Sequence, residues 1–315
     1  MNLPWLMAIT LVVGLLLGLL GGGGSILLVP VLVYLVGLET KVAIATTLVV
    51  VGLTSLVAVV GHARGGRVCW KNGWAFGLAG MLGAYGGARL AAYVPGNVLL
   101  LMFAVIMLGT AFTMLIRRRE GPGPETAATG ANCPTRLNLP AVLFDGLLVG
   151  TITGLVGVGG GFVIVPALNL LGGMPIRAAI GTSLLIIVMN SAAALAGYVG
   201  YVEIDPRFAG LVTAVAIVGS LIGSALTRYV SNSGLRRGFG LFVIAIAAYL
   251  LHRELSWKAL EDVEHLVREH HEFFRGVLTA FVVMALYWMR GVIHYRHQRA
   301  LDAAKDREPP LDWQI

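Results

Sequence analysis

Two glycine clusters are where this chain has the means to do chemistry. Gly21, Gly22, Gly23 and Gly24 precede Ser25, and Gly157, Gly159, Gly160 and Gly161 precede Phe162. Each cluster separates a long apolar run from a short one: 3–20 from 25–36, and 140–156 from 162–171. A short helix starting at such a cluster aims unpaired N–H groups and the positive end of its dipole at whatever lies before it. Non-helical backbone inside a bilayer persists only where it is buried or lines a cavity. Two such starts facing each other at the membrane midplane would make an anion site that needs no buried Lys or Arg. The competing reading is close helix packing through small residues.

Other polar groups fall into step with these clusters. Thr46 and Thr47, like Thr182 and Ser183, sit about one turn inside the next helices, with Ser55, Asn190 and Ser191 two turns deeper. Their hydroxyls and amide suit an oxyanion, although Ser and Thr in membrane helices also bond carbonyls of their own helix. Lys41 and Arg177 occupy matching positions, where they would either draw anions toward two entrances or serve as interfacial cations. Asp145, early in its helix, is the candidate proton relay, unless it lies near enough to the membrane face to be hydrated. His265, His270 and His271, with Glu261, Glu269 and Glu272, read as a solvated face rather than a metal site. The chain has no HExxH, Walker A, nucleophile elbow or redox motif, so neither an enzyme nor a cofactor is expected. Cys69 and Cys133 belong to no CxxC pair and read as free thiols in loops.

The elements that must position these residues are membrane helices. Of 315 residues, 57% are hydrophobic and only 12% charged, too apolar for a soluble protein to cover its core. A nucleic-acid binder, a cytosolic α/β enzyme and a disulfide-stapled secreted module all fit poorly. The net charge of +7 reflects loop lysines and arginines, not a nucleic-acid footprint. Runs long enough to span a bilayer cover 42–62, 73–93, 98–116, 178–199, 208–229 and 238–251. The first run, 3–20, has no basic leader or cleavage site and reads as a retained helix.

The chain also repeats itself. Gly18 to Pro30 aligns with Gly154 to Pro166, and Gly37 to Leu48 with Gly173 to Leu184, all at one offset of 136 residues. Gly83 and Gly87 match Gly219 and Gly223 at the same offset. Arg64, Arg67, Lys71, Arg117, Arg118, Arg119 and Arg136 place the loop after 42–62 and the central linker in the cytoplasm, with both cysteines. If each glycine-broken pair crosses zero or two times, each repeat crosses an odd number of times and the halves are inverted, as in many secondary transporters. The expected organisation is transmembrane repeat 1 (1–116), a flexible linker (117–138) and repeat 2 (139–252). A net-acidic amphipathic helix on the outer face (253–275) and one more transmembrane helix with a cytoplasmic tail (276–315) follow.

The segments Gly18–Pro30 and Gly154–Pro166, with Ala43-Ile-Ala-Thr-Thr47 and Ala179-Ile-Gly-Thr-Ser183, resemble the TauE/SafE sulfite-exporter family over roughly residues 3–252. That resemblance implies a bacterial inner-membrane protein that moves sulfite, thiosulfate or sulfonated organic anions outward, linked to protons. The family's motif positions fall on Gly21–Ser25, Gly157–Gly161, Thr46, Thr47, Thr182 and Ser183. The expectation is therefore an all-α polytopic secondary transporter whose partners are lipid, a small anion and protons, with no nucleic acid and the oligomeric state left open. Its rivals are a passive anion channel on the same repeats and a membrane anchor acting through the acidic C-terminal helix.

Overall fold

The computed structural model describes residues 3–20, 23–116, 133, 139–157, 159–170, 174, 176–226 and 243–253, all within the unit formed by Met1–Asp262. Every regular element among them is helical. The helices are α1 (Leu3–Leu20), α2 (Ser25–Val36), α3 (Thr40–Arg64), α4 (Trp70–Ala91), α5 (Gly96–Ile116), α6 (Leu139–Val156), α7 (Gly161–Leu170), α8 (Ile176–Tyr198), α9 (Pro206–Leu226) and α10 (Val243–Arg253). Thr40–Arg64, Leu139–Val156, Ala178–Tyr198 and Pro206–Leu226 are long and apolar enough to cross a membrane. The expected outer-face helix beyond Arg253, the expected helix and tail over 276–315 and most of the 117–138 linker lie outside the described residues, as does Gly21.

Local chemistry sets the ends. Asp205 accepts from the N–H groups of Arg207 and Phe208 at 2.9 and 3.3 Å, and Pro206, which has no N–H to satisfy, opens α9. Lys41 Nζ donates to Ala92 O at 2.8 Å, closing the end of α4 from the start of α3. The first short helix is not uniform. It enters through a 3₁₀ turn at Gly23–Leu27 and widens to π geometry over Val31–Val36. The wider pitch follows Pro30, which has no N–H to return to the carbonyl four residues earlier. Gly37, at φ 83°, then ends it in the left-handed region.

Helices α1, α3 and α4 start 136 residues before α6, α8 and α9. Packing follows the same exchange: α4 lies on α6, α9 lies on α1, and α3 crosses α8. Glycines set these approaches. A side chain at Gly150 or Gly154 would strike the backbone of Gly80 or Ala84, and one at Gly14 or Gly18 that of Ala216 or Ser220. Gly83 and Gly219 meet the backbone of Leu147 and Leu11 in the same way. Small residues thus let the helix backbones touch where no hydrophobic drive exists between helices in lipid. Large side chains such as Leu53, Leu56, Val60, Leu78, Leu82, Leu221 and Ile222 stay exposed on the outside, as contact with hydrocarbon requires.

One expectation fails here. Cys69 and Cys133 are not free thiols but a disulfide, with Cα atoms 5.7 Å apart. The chain folds back across a separation of 64 residues, and no local spacing signals that return. Cys69 also stands at the N-cap of α4, its N–H donating to Thr182 Oγ1 at 2.9 Å.

Candidate functional site

The second glycine cluster is a turn that only glycine can make. Gly157, Gly159 and Gly160 have φ of 72°, 67° and 76°, where a Cβ is strained. Thr153 O accepts from Gly157 N–H at 2.8 Å, and Gly160 O accepts from the N–H groups of Val163 and Ile164 at 2.9 and 2.8 Å. The chain leaves α6 at 157 and enters α7 at Gly161. The N–H groups of Gly161 and Phe162 come before the first intrahelical bond, and helix geometry gives them no partner within α7. The cap is a glycine, so it supplies no side-chain acceptor.

Three elements enclose this turn. A Cβ on Gly159 would lie 2.6 Å from Val51 Cγ1 of α3, 3.3 Å from Ile187 Cγ2 of α8 and 3.5 Å from Ser191 Oγ of α8. Gly157 abuts Ile44 of α3, and Gly160 abuts Thr153 of α6. Helix α7 also packs against the Gly23–Leu27 turn through which α2 begins. The turn is braced from α8: Tyr198 Oη donates to Leu155 O at 3.2 Å, serving a carbonyl that the break in α6 leaves open. Sequence reasoning missed this brace, because nothing in local spacing links residues 155 and 198.

Which hydroxyls can serve a ligand depends on where each proton goes, since Ser and Thr have one to give. Ser183 Oγ donates to Ile180 O at 2.8 Å, and Thr54 Oγ1 to Val50 O at 2.5 Å. Thr153 Oγ1 donates to Gly150 O at 3.0 Å. Those protons are spent inside their helices. Thr182 differs: its oxygen accepts from Cys69 N–H, which leaves its own proton unassigned. Thr47 Oγ1, Ser55 Oγ, Ser191 Oγ and both polar atoms of Asn190 are buried with no partner at all.

The sequence-derived residues therefore divide. Gly157, Gly159, Gly160 and Gly161 form the turn and the helix start, with Gly23, Gly24 and Ser25 in the entry turn of α2. Thr46, Thr47, Thr182 and Asn190 are buried on α3 and α8. Asn190 faces Gly80, whose Cβ would lie 2.5 Å from its Oδ1, so its amide is turned toward α4. Lys41 is held by Ala92. Arg177 falls in the first turn of α8. Asp145 is half-buried in α6, eight residues before Thr153; that is about 12 Å along the axis and about 80° around it.

The family model for sulfite exporter TauE/SafE matches residues 6–250. The chain belongs to the TauE/SafE family. A probable membrane transporter protein of Xylella fastidiosa is 37% identical over 251 residues, covering 79% of this chain and 94% of that one. Probable membrane transporter proteins of Methanocaldococcus jannaschii and Bacillus subtilis are 26% and 27% identical, covering 74% and 69% of this chain and 90% and 84% of theirs. No solved structure matches. This TauE/SafE protein is thus an all-α, multi-pass membrane protein of a transporter family, and the similarity ends before the C-terminal segment.

Proposed function

We propose that the protein is a secondary transporter that exports small anions, sulfur oxyanions or sulfonates, across the bacterial inner membrane by alternating access between two inverted repeats. The observation that carries this reading is the glycine turn that opens α7 beside Ser191, a buried hydroxyl whose proton is uncommitted, with the entry turn of α2 packed on α7. Unsatisfied N–H and O–H groups are costly in hydrocarbon, and a tetrahedral oxyanion offers acceptors to several of them at once. Asp145 is the proton relay: it is the half-buried carboxylate of α6, on the helix that leads into the glycine turn. The anion specificity rests on the family, whose matching model is named for sulfite export.

Proteoliposomes loaded with radiolabelled sulfite, thiosulfate or taurine test this directly, with and without a pH gradient. The expected result is saturable flux of at least one of these compounds that accelerates with the gradient. Asp145→Asn should remove the acceleration while binding of the same compound persists. Flux that never saturates would favour a channel. Unchanged gradient dependence in Asp145→Asn would leave Asp145 a hydrated residue of its helix.

A further inference from the structure

The polar side chains buried among the described residues are uncharged. Fourteen polar side chains are buried among the described residues: eight threonines and serines on α3 and α8 or in the turns beside them, the asparagines Asn72 and Asn190, and four more hydroxyls. None is Asp, Glu, Lys, Arg or His. The positive potential at the glycine turn therefore comes from backbone. A helix N-terminus is worth about half an elementary charge, so the start of α7 offers about half a unit of positive charge. Ser191 Oγ, 2% exposed and without a partner, stands 3.5 Å from where a Gly159 Cβ would be. It is a neutral donor aimed at the same place.

From this balance we infer that the site selects monoanions and rejects dianions. The inference rests on the anion-site reading given above. The cost of moving an ion out of water grows with the square of its charge, about fourfold from one charge to two. The return from fixed dipoles grows only in proportion to the charge. A site worth about half a positive charge offsets a large share of a monoanion's charge, whereas a dianion keeps more than one net negative charge in a buried enclosure. For sulfite the carried species is then hydrogensulfite, because sulfite exchanges its last proton near neutrality. Sulfonates are monoanions throughout that range, and sulfate is a dianion throughout it.

Groups of the protein also titrate, and they must be kept apart from the ligand. Lys41 and His62 lie at the two ends of α3, Arg89 late in α4 and Asp145 in α6, on the elements packed around the turn. Methanesulfonate separates the two causes. It cannot change charge over this range, so any pH profile it shows belongs to the protein.

The experiment is exchange in proteoliposomes held at equal pH on both sides, stepped from mildly acidic to mildly alkaline, with methanesulfonate, sulfite or sulfate as the labelled anion. Sulfite exchange, divided by methanesulfonate exchange at each pH, should fall about tenfold per pH unit once the dianion predominates. Sulfate should neither be carried nor compete. A ratio that is flat or rises with pH, or sulfate competing as well as methanesulfonate, overturns the charge selection and leaves the anion site standing. Failure to carry any of the three removes the site reading, and this inference falls with it.

Discussion

Replacing Ser191 by alanine should move stability and binding in opposite directions. The hydroxyl is buried, 2% exposed, and has no hydrogen-bond partner in the ligand-free protein. Leaving such a group unsatisfied costs roughly 1–3 kcal/mol. Ser191→Ala removes that cost and leaves a void of one oxygen atom, so the ligand-free protein should be as stable as the parent or more so. Under the proposed site, the same hydroxyl donates to the bound anion. Hydrogen bonds to charged groups are worth about 1.5–3 kcal/mol, so the variant should bind about 10- to 150-fold more weakly.

Ser183→Ala is the matched control. Ser183 is also buried, but its proton is committed to Ile180 O at 2.8 Å. Its loss should change affinity by less than about threefold, under 1 kcal/mol. Titration calorimetry with an anion that the wild type carries, on purified monodisperse protein, gives the affinities, and thermal unfolding without ligand gives the stabilities. Wild-type affinity in Ser191→Ala, or an equal loss in Ser183→Ala, would refute the proton accounting on which the site is built. Valine at Gly160 is a poor substitute for this test. At φ 76° any side chain is strained, so binding and folding would fail together.

The packing glycines make a separate prediction. Gly154→Ala, which drives a methyl group into the backbone of Ala84, should destabilise by about 1–3 kcal/mol without altering affinity per folded molecule, as read by thermal unfolding and calorimetry. Gly210→Ala, with nothing within 4 Å of the new Cβ, should be neutral or stabilise α9 by up to about 1 kcal/mol. For the cysteines, the basic loops imply a cytoplasmic face. With the disulfide formed, an impermeant thiol reagent should miss Cys69 and Cys133 in intact cells even after an impermeant reductant, and should label them in inside-out vesicles only after reduction. Labelling in intact cells after an impermeant reductant would put the disulfide outside and reverse the orientation.

The helices could be read from the sequence because hydrocarbon imposes length and apolarity on anything that crosses it, and starts such as Asp205-Pro206 are written locally. The observed helix starts fall two or three residues before those expected for α3, α4, α8 and α9, since polar residues such as Thr40 and Lys71 are helical yet interrupt the apolar run. The glycine turn was legible as a cluster, but its left-handed angles were not. The fate of each hydroxyl was illegible too. Thr47 and Ser183 are equivalent at 136 residues, yet one has no partner and the other bonds its own helix. That choice depends on rotamer and neighbouring carbonyl, which residue type does not encode. The disulfide left no trace either, because it joins two isolated cysteines through the fold alone.

What the two halves share and what they do not share separate by role. Gly14, Gly18 and Gly83 recur as Gly150, Gly154 and Gly219, and all of these set helix contact. The equivalents of Asp145, Asn190 and Tyr198 are Ile9, Thr54 and His62. Of the first three, Asp145 is a half-buried carboxylate, Asn190 holds an unpartnered amide and Tyr198 braces the glycine turn. Two chemically identical inverted halves would present the same site to both faces of the membrane, and a proton gradient would have no single group to act on. The gradients set the direction of a secondary transporter; under the proposed coupling, the asymmetry fixes which half carries the titratable residue. Asp145 against Ile9 is that asymmetry, on the helix that leads into the glycine turn.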